Sequence, residues 1–190
     1  MKSYDISREL FASEVYPGDP IPQKRFVKEI KKGDPYNLSE IRFGSHAATH
    51  IDAPYHFCPQ GNTVEKIELE DCMGSCFVMG ADRVDAALVR KEMPGDVKRV
   101  LFRKGTQLCR DGVRALLERG IRLVGVEENS VDQDGENVIH KMLLENNVVI
   151  LENIDLSEVK NGWYFIAALP LKLEGVDGAP CRAVLMDTEW

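Results

Sequence analysis

Short apolar runs separated by amphipathic stretches fill the chain from Val97 onward, and this alternation constrains the fold more than any other feature. Apolar runs bounded by polar residues are typical of strands buried in a sheet. The predicted strands are Val100 to Phe102, Leu123 to Val126, Val148 to Leu151, Trp163 to Leu169 and Ala183 to Met186. Strands that alternate with helices favour a sheet covered by those helices.

Two stretches predict the helices, and an earlier pair of segments predicts a hairpin. Asp111 to Arg119 and Glu136 to Asn146 carry apolar side chains at helical spacing. Near the N-terminus, Arg25 to Ile30 and Leu38 to Phe43 alternate apolar and polar residues on either side of a turn rich in Gly, Asp and Pro. The sequence therefore predicts a single mixed α/β domain, with antiparallel N-terminal strands and later strand-helix-strand units.

Composition limits the domain number and the class of partner. The chain has 190 residues, of which 44% are hydrophobic, so residues 1–190 are expected to bury one sizeable core as a single domain. The formal net charge is −7, with acidic residues scattered among basic ones. Because this leaves no continuous positive face for a phosphate backbone, we expect no nucleic-acid partner.

The N-terminal residues and the cysteines indicate the cellular compartment of the protein. No apolar stretch at the start of the chain resembles a signal peptide, and no segment is long enough to cross a bilayer, so we expect a cytoplasmic protein without membrane contact. The five cysteines are an odd and widely spaced set. Such a set fits reduced thiols in the cytoplasm better than a disulfide framework.

Three of the four histidines, His46, His50 and His56, fall within eleven residues. If the segment from His46 to Asp52 is an extended strand, the side chains of His46, His50 and Asp52 point to one face, because strand side chains alternate. Two imidazoles and a carboxylate are a common ligand set for a catalytic divalent metal, since they leave a coordination position for water. Simpler roles remain open, namely hydrogen-bonded packing for the histidines and a turn for Asp52.

His56 has the same parity as Asp52 but follows Pro54, which is expected to bend the chain. An imidazole near a metal but not bound to it suits general acid/base catalysis, because it titrates close to neutral pH. The alternative is that His56 orients a metal ligand.

These residues carry a resemblance to a known family. The segment from His46 to Phe57 matches the pattern His-x-Gly-Thr-His-x-Asp-x-Pro-x-His-Phe at every specified position except Ala48. This pattern is the signature of the metal-dependent cyclase/hydrolase family that includes bacterial kynurenine formamidase (arylformamidase) and isatin hydrolase. Further similarity lies in Ser130-Val131-Asp132 and in His140 followed twelve residues later by Glu152. The fold implied by the resemblance is of the swivelling β/β/α kind.

The resemblance implies a ligand set and a reaction. It makes His46 and His50 ligands of a first metal, Asp52 and Glu152 bridging carboxylates, and His140 a ligand of a second metal. The implied cofactor is one or two divalent ions, with zinc expected and manganese the alternative. Without the resemblance, Glu152 reads as an exposed acid that ends a strand and His140 as a packing residue on a helix.

The reaction implied is hydrolysis of a small-molecule amide, in which His56 protonates the departing nitrogen. For an N-formyl aryl amine such as N-formylkynurenine, a step of tryptophan catabolism, the products are formate and the amine. Tyr16 stands where formamidases usually have a tryptophan that contacts the aromatic substrate, and a tyrosine can still stack. The alternatives are a cyclase or dehydratase, an isatin-like lactam hydrolase, and a non-catalytic protein that binds a metal or metabolite. The resemblance also implies a homodimer or homotetramer.

Two departures from the family bear on the substrate. Ala48 replaces the usual glycine, which matters if that residue needs a positive φ. Glu127-Glu128-Asn129 stands where relatives often carry an Asp-Thr/Ser-Pro run. We expect these two glutamates to add negative charge beside the site.

Overall fold

The computed structural model describes residues 2–132 and 135–187. Its strands are β1 (Ser3–Asp5), β2 (Gln23–Lys28), β3 (Leu38–Arg42), β4 (His50–Asp52), β5 (Met73–Met79), β6 (Arg83–Val84), β7 (Arg99–Phe102), β8 (Gln107–Leu108), β9 (Leu123–Val126), β10 (Val149–Glu152), β11 (Gly162–Pro170) and β12 (Gly178–Asp187). Its α-helices are α1 (Leu69–Cys72), α2 (Ala86–Glu92), α3 (Arg110–Glu118) and α4 (Val138–Leu144). Short 3-10 turns cover Ile30–Lys32, Pro54–His56 and Val64–Lys66.

Eight strands form one mixed sheet in the order β1-β12-β11-β5-β7-β9-β10-β4. The neighbours from β5 to β10 run parallel, whereas the other pairs are antiparallel. The ten-residue strand β12 also pairs with β4, which closes the sheet into a barrel-like shape. The prediction of a mixed α/β domain is confirmed, with strands dominating and helices few.

The parallel strands are apolar on both faces because both faces are covered. In β9, Val124 contributes to an apolar cluster with the helices α2, α3 and α4, while Leu123 contributes to a second cluster on the opposite face. Every residue of β7, β9 and β10 is buried. This two-sided burial explains why the apolar runs in the sequence are continuous rather than alternating.

Several predicted elements are observed with small shifts of their ends. The predicted strand Val148 to Leu151 is observed as Val149–Glu152, and the predicted helix Glu136 to Asn146 as Val138–Leu144. The predicted hairpin is also present, but β2 and β3 form a separate two-stranded sheet outside the main one. Within residues 2–132 and 135–187, no helix has the length and hydrophobicity needed to cross a membrane.

The prediction of a continuous strand from His46 to Asp52 is wrong in its first half. Only His50–Asp52 forms a strand, and the chain from His46 to Thr49 turns, with Ala48 in the left-handed region at φ 54°. Thr49 stabilises this turn, since its hydroxyl donates to the carbonyl of Asn153 at 2.6 Å and accepts from the backbone N–H of Arg8 at 2.9 Å. The turn brings His46 to the site from a loop instead of along a strand.

Candidate metal centre and active site

The pairing of β4 with β10 positions three of the predicted ligands. In this antiparallel ladder His50 lies opposite Glu152, and Asp52 lies two residues further along β4. Residues opposite each other in a ladder, and residues two apart on one strand, project to the same face. The side chains of His50, Asp52 and Glu152 therefore converge, and their ligand atoms lie within 4.8 Å of one another.

Helix α4 adds His140, because it packs against β10. The Nε2 atom of His140 lies 3.1 Å from Oε1 of Glu152 and 3.5 Å from Oδ2 of Asp52. His140, His50, Asp52 and Glu152 are all at most 4% exposed. Two segments about ninety residues apart in the sequence thus meet in one buried polar cluster.

In both buried histidines, His50 and His140, the Nδ1 atom is held by a hydrogen bond to the protein. Nδ1 of His50 donates to the carbonyl of Ala48 at 2.8 Å, and Nδ1 of His140 donates to Oδ2 of Asp132 at 2.8 Å. The Asp132 carboxylate also accepts the backbone N–H groups of Ile139 and His140, both at 2.9 Å. Each ring is therefore oriented with Nε2 toward the carboxylates, as in metal sites where a carbonyl or carboxylate holds the ligand histidine.

Two atoms at the centre of the cluster make no hydrogen bond, although Nε2 of His50 lies 3.2 Å from Oδ1 of Asp52 and Oδ2 of Asp52 lies 3.5 Å from Nε2 of His140. Within residues 2–132 and 135–187, Nε2 of His50 and Oδ2 of Asp52 are buried and have no hydrogen-bond partner. A buried polar atom without a partner costs about 1–3 kcal/mol, and such atoms are rare in folded proteins. A divalent cation between the imidazoles and carboxylates would satisfy both atoms, so the residues present fit a metal.

His46 completes this cluster from the turn before β4. Its Nδ1 lies 2.8 Å from Oδ1 of Asp52, and its Nε2 lies 2.7 Å from Oδ2 of Asp177. The ring stands edge-on to that of His50, with 5.0 Å between their centroids. His46 thus lies within reach of the same central carboxylate as the other predicted ligands.

His56 lies in the 3-10 turn Pro54–His56, beside the cluster. Its ring centroid is 4.0 Å from that of His46 and 6.1 Å from that of His140, and Phe57 packs against its edge. Nδ1 of His56 lies 3.2 Å from Oδ2 of Asp177. Asp177 therefore contacts both His46 and His56, and it fixes which nitrogen of His56 faces away from the protein.

The charges of the cluster shift the pKa values of its members. Burial lowers the histidine pKa values, but the surrounding carboxylates outweigh it and raise the pKa of His46 to about 9, of His50 to about 10 and of His140 to about 11. Burial acts to raise the pKa of Asp52, yet the three histidines hold it well below its usual range. The side chains of the cluster are thus held in place by strong mutual attraction between opposite charges.

A cavity of about 240 Å³ opens above the cluster. Its walls are formed by Tyr16, Asp19, His46, His50, His56, Phe57, Asn129, Ser130, Asn137, His140 and Glu152. Tyr16 is half exposed at the wall. All seven residues singled out from the sequence, including the buried Asp52, therefore lie in or beneath this cavity.

Asp132 and Asp177 are site residues that were not predicted from the sequence. Asp132 belongs to the Ser130-Val131-Asp132 match to the family, which was a usable signal. Asp177 lies in a loop between β11 and β12, more than a hundred residues from the histidines it contacts, and no pattern in the sequence marks it.

The glutamates at 127 and 128 do not face the cavity. Glu127 accepts the backbone N–H groups of Lys104 at 2.8 Å and of Leu156 at 3.0 Å, and Glu128 accepts that of Gly105 at 2.6 Å. Both line a neighbouring cavity of about 580 Å³, whereas Asn129 lines both cavities. These two carboxylates therefore lie beside the site cavity and not in it, and neighbouring backbone amides hold them there.

The barrel-like mixed sheet and its buried histidine–carboxylate cluster define a class of small-molecule enzyme built around a candidate metal centre. Residues 4–133 match the family model described as putative cyclase, and the chain belongs to this family. A kynurenine formamidase of Salinibacter ruber (strain DSM 13855 / M31) is 34% identical, covering 98% of each chain. A kynurenine formamidase of Paracidovorax citrulli (strain AAC00-1) is 32% identical, covering 96% of this chain and 95% of the relative.

Solved structures show the same fold. A potential metal-dependent hydrolase with cyclase activity superposes with a TM-score of 0.82 at 30% identity, over 100% of this chain and 99% of the other. Isatin hydrolase A from Labrenzia aggregata superposes with a TM-score of 0.83 at 20% identity, over 99% and 94% of the two chains. At that lower identity the likeness to isatin hydrolase concerns the fold alone.

Proposed function

We propose that this protein is a metal-dependent amidohydrolase of the arylformamidase type, which converts N-formylkynurenine or a closely related N-formyl aryl amine into the amine and formate. This proposal is carried by the cluster itself, in which Nε2 of His50 and Oδ2 of Asp52 are buried and make no hydrogen bond, with His140 and Glu152 beside them. The two full-length relatives that are kynurenine formamidases support this choice of substrate.

The proposed metal ligands are those predicted from the sequence. His46, His50 and Asp52 hold one ion, and Asp52, Glu152 and His140 hold a second ion where two are bound. Mixed imidazole and carboxylate donors suit zinc, with manganese as the alternative. A bound ion supplies a Lewis acid for the substrate carbonyl and a nucleophile at neutral pH.

Proton transfer is assigned to His56. Its Nδ1 is directed at Asp177, so Nε2 is the nitrogen that exchanges a proton with the substrate. In the proposed reaction His56 gives this proton to the departing nitrogen of the amide, which then leaves as a neutral amine. Phe57, packed on the rings of His56 and His140, keeps both at the edge of the cavity.

We assign Tyr16 the role of contacting the substrate. It lies on the cavity wall with half of its surface exposed, so its ring is free to stack on an aryl group. The cavity volume of about 240 Å³ is suited to one small molecule. A cytoplasmic location and a role in tryptophan catabolism remain predictions that accompany this substrate.

The test combines metal analysis with turnover. Purified protein is expected to contain a divalent ion by elemental analysis, to release formate from N-formylkynurenine, and to lose this activity on treatment with a chelator and regain it with zinc or manganese. Full activity in metal-free protein would rule the proposal out. Opening of isatin without formamide hydrolysis would favour a lactam hydrolase, a cyclised product formed without incorporation of water would favour a cyclase, and bound metal without any turnover would favour a binding protein.

Replacement of His56 tests its role separately from metal binding. We expect His56→Ala to retain its metal and to lower kcat by about 10²- to 10⁴-fold, the usual contribution of general acid/base catalysis. Tyr55→Ala is the matched control, because Tyr55 is the preceding residue of the same turn and is exposed away from the cavity lining. Unchanged kcat in His56→Ala, with normal activity in the control, would remove His56 from the mechanism.

A further inference from the structure

The neighbouring cavity of about 580 Å³, here called the second cavity, lies next to the proposed active site. Asn129 lines both cavities, and Asn153, in the wall of the second cavity, directly follows Glu152 in the wall of the first. The volume falls within the roughly 300–1,000 Å³ that is typical of small-molecule sites. The second cavity is therefore large enough to hold a ligand, and its wall begins one residue from the metal cluster.

Two unsatisfied polar atoms belong to residues that line the second cavity. In the described part of the chain, four buried side-chain atoms make no hydrogen bond; two are in the metal cluster, and the others are Nε of Arg8 and Oε2 of Glu128. Such atoms are rare in folded proteins, because a buried polar group without a partner costs free energy. The proposed metal accounts for the first pair, and nothing in the described residues accounts for the second pair.

Arg8 provides a free guanidinium at the second cavity. Its side chain is only partly exposed, yet it makes no hydrogen bond and no ion pair with any residue that the structure describes. The pKa of Asp155 is lowered mainly by the backbone N–H of Ser157 and also by the charge of Arg8, although Asp155 and Arg8 form no ion pair. A guanidinium can form two parallel hydrogen bonds with a carboxylate. Arg8 is therefore available to bind the carboxylate of a ligand.

The rest of the charged wall is mainly acidic. Besides Arg8 and Lys104, the charged residues of the wall are five carboxylates: Glu9, Glu14, Glu127, Glu128 and Asp155. In Glu128 only Oε1 is used, since it accepts the backbone N–H of Gly105 at 2.6 Å and Oε2 makes no hydrogen bond. The carboxylates repel a simple anion, and Arg8 repels a simple cation. A ligand that carries both charges fits this wall, because each of its charged groups meets an opposite charge.

We infer that the second cavity binds the α-amino-acid group of a small molecule, with the ligand's carboxylate on Arg8 and its ammonium group on Glu128. One source of this group is the amino-acid end of N-formylkynurenine, and for that source the inference rests on the proposed function. The other source is a free amino acid. Glu128 and Asn129 stand where relatives often carry Thr or Ser and Pro, so this mode of recognition is a property of this chain.

Calorimetric titration of the metal-loaded protein with L-kynurenine and with L-alanine tests the inference without any turnover. Arg8→Met removes the guanidinium but keeps an unbranched chain and the backbone N–H that binds Thr49. We expect this variant to raise the dissociation constant of L-kynurenine by at least about 10-fold, the effect of losing a charge-assisted pair. Because the Arg8 guanidinium makes no ion pair within the described residues, thermal unfolding is expected to show no loss of stability.

A second variant and a control complete the titration. Glu128→Thr is expected to weaken the binding of L-kynurenine in the same direction, and it keeps the test decisive if Arg8→Met does not fold. Arg90→Met is the matched control, because Arg90 lies on α2, outside the wall of the second cavity. The control is expected to bind L-kynurenine as the wild type does.

Turnover identifies the source of the amino-acid group. N-formylaniline has the aryl amide of N-formylkynurenine but no amino-acid group. If the second cavity holds the amino-acid end of the substrate, Arg8→Met lowers the ratio of kcat/KM for N-formylkynurenine to kcat/KM for N-formylaniline by at least about 10-fold. An unchanged ratio, together with binding of L-alanine that depends on Arg8, assigns the second cavity to a free amino acid.

The inference is overturned if neither the affinities for L-kynurenine and L-alanine nor the ratio of kcat/KM depends on Arg8. Absence of binding of both ligands to the wild type, with an unchanged ratio, overturns it as well. If neither amide is hydrolysed, the proposed function fails, and the titration alone decides the inference.

Discussion

At the scale of single residues, each histidine has one ring nitrogen held by a neighbouring group, and this contact sets the direction in which the other nitrogen points. The carbonyl of Ala48 holds His50, the carboxylate of Asp132 holds His140, and Asp177 contacts both His46 and His56. A ring whose outer nitrogen is fixed presents the other nitrogen in one direction. Small changes in these supporting groups should therefore alter the metal affinity.

Asp132→Asn tests this dependence. The substitution keeps the shape of the side chain but removes the charge that supports the imidazole of His140, so the affinity for zinc is expected to fall by about 10- to 100-fold. The measurement is a competition titration with a chromophoric chelator. Asp155→Asn is the control, since Asp155 caps a turn by accepting the N–H of Ser157 and lies outside the histidine cluster. Equal affinity in both variants would contradict the proposed role of Asp132.

Ala48 offers a second test at this scale, because its backbone has a positive φ, a conformation that favours glycine. Its φ is 54°, so Ala48→Gly relieves strain, while the loss of a buried methyl group and the flexibility of glycine act in the opposite direction. We expect a net change within about 1 kcal/mol for Ala48→Gly, against a loss of about 2 kcal/mol or more for Ala48→Val. Denaturant unfolding of both variants measures this difference, and equal stabilities would contradict it.

Some residues of the site could be predicted from the sequence, and others could not. The spacing of His46, His50 and Asp52 indicated a metal site, although by way of a strand that is half turn. Family resemblance alone suggested His140 and Glu152 as ligands. Asp177 could not be predicted, because its closeness to His46 results from the pairing of distant strands and not from any local pattern.

At the scale of elements, the site depends on β4 lying between β10 and β12. One ladder brings Glu152 opposite His50, and the other brings Gly178 opposite Asp52. A side chain at Gly178 would place its Cβ 2.7 Å from the carbonyl oxygen of Ile51 and 2.9 Å from Cε1 of His46. The close approach of β12 to the cluster therefore requires glycine at this position.

Gly178→Ala is expected to push β12 away from β4 and to displace His46. Overpacking of this kind costs about 1–3 kcal/mol, and the affinity for the metal should fall together with the stability. Thermal unfolding and elemental analysis measure the two effects. Gly95→Ala is the control, because a Cβ there meets no atom within 4 Å. Normal metal content and stability in Gly178→Ala would show that the contact is not needed.

The positions of the strands were easier to predict from the sequence than the strands with which they pair. The strands β7, β9 and β10 were predicted because burial on both faces makes them continuously apolar. The pairing of β12 with both β11 and β4 was not predicted, because the sequence pattern of a strand carries no information on which distant strand it meets.

At the scale of the whole molecule, the cluster couples metal binding to pH. The pKa values of His46, His50 and His140 are raised to about 9, 10 and 11, well above 6.5, so between pH 6.5 and 9 these histidines keep their protons when no cation is bound. Their contribution to stability is present in full below pH 6.5 and is lost as the pH rises through about 9 for His46, about 10 for His50 and about 11 for His140. A cation that takes their nitrogens must displace these protons.

Uptake of zinc near pH 7.5 is therefore expected to release protons, up to one for each of these three histidines, and competition from these protons is expected to weaken as the pH rises to about 11. Calorimetry in buffers with different ionisation enthalpies measures the number of protons released. Binding without proton release would contradict the assignment of these imidazoles as ligands.

The most direct test of the central claim is a crystal structure of the metal-loaded protein with anomalous data collected at the absorption edge of the bound metal. We predict an anomalous peak within about 2.0–2.2 Å of Nε2 of His50 and of an oxygen of Asp52, with further ligands from His46, His140 or Glu152. Metal-saturated crystals with no peak in this cluster, or with the ion bound elsewhere, would contradict the assignment.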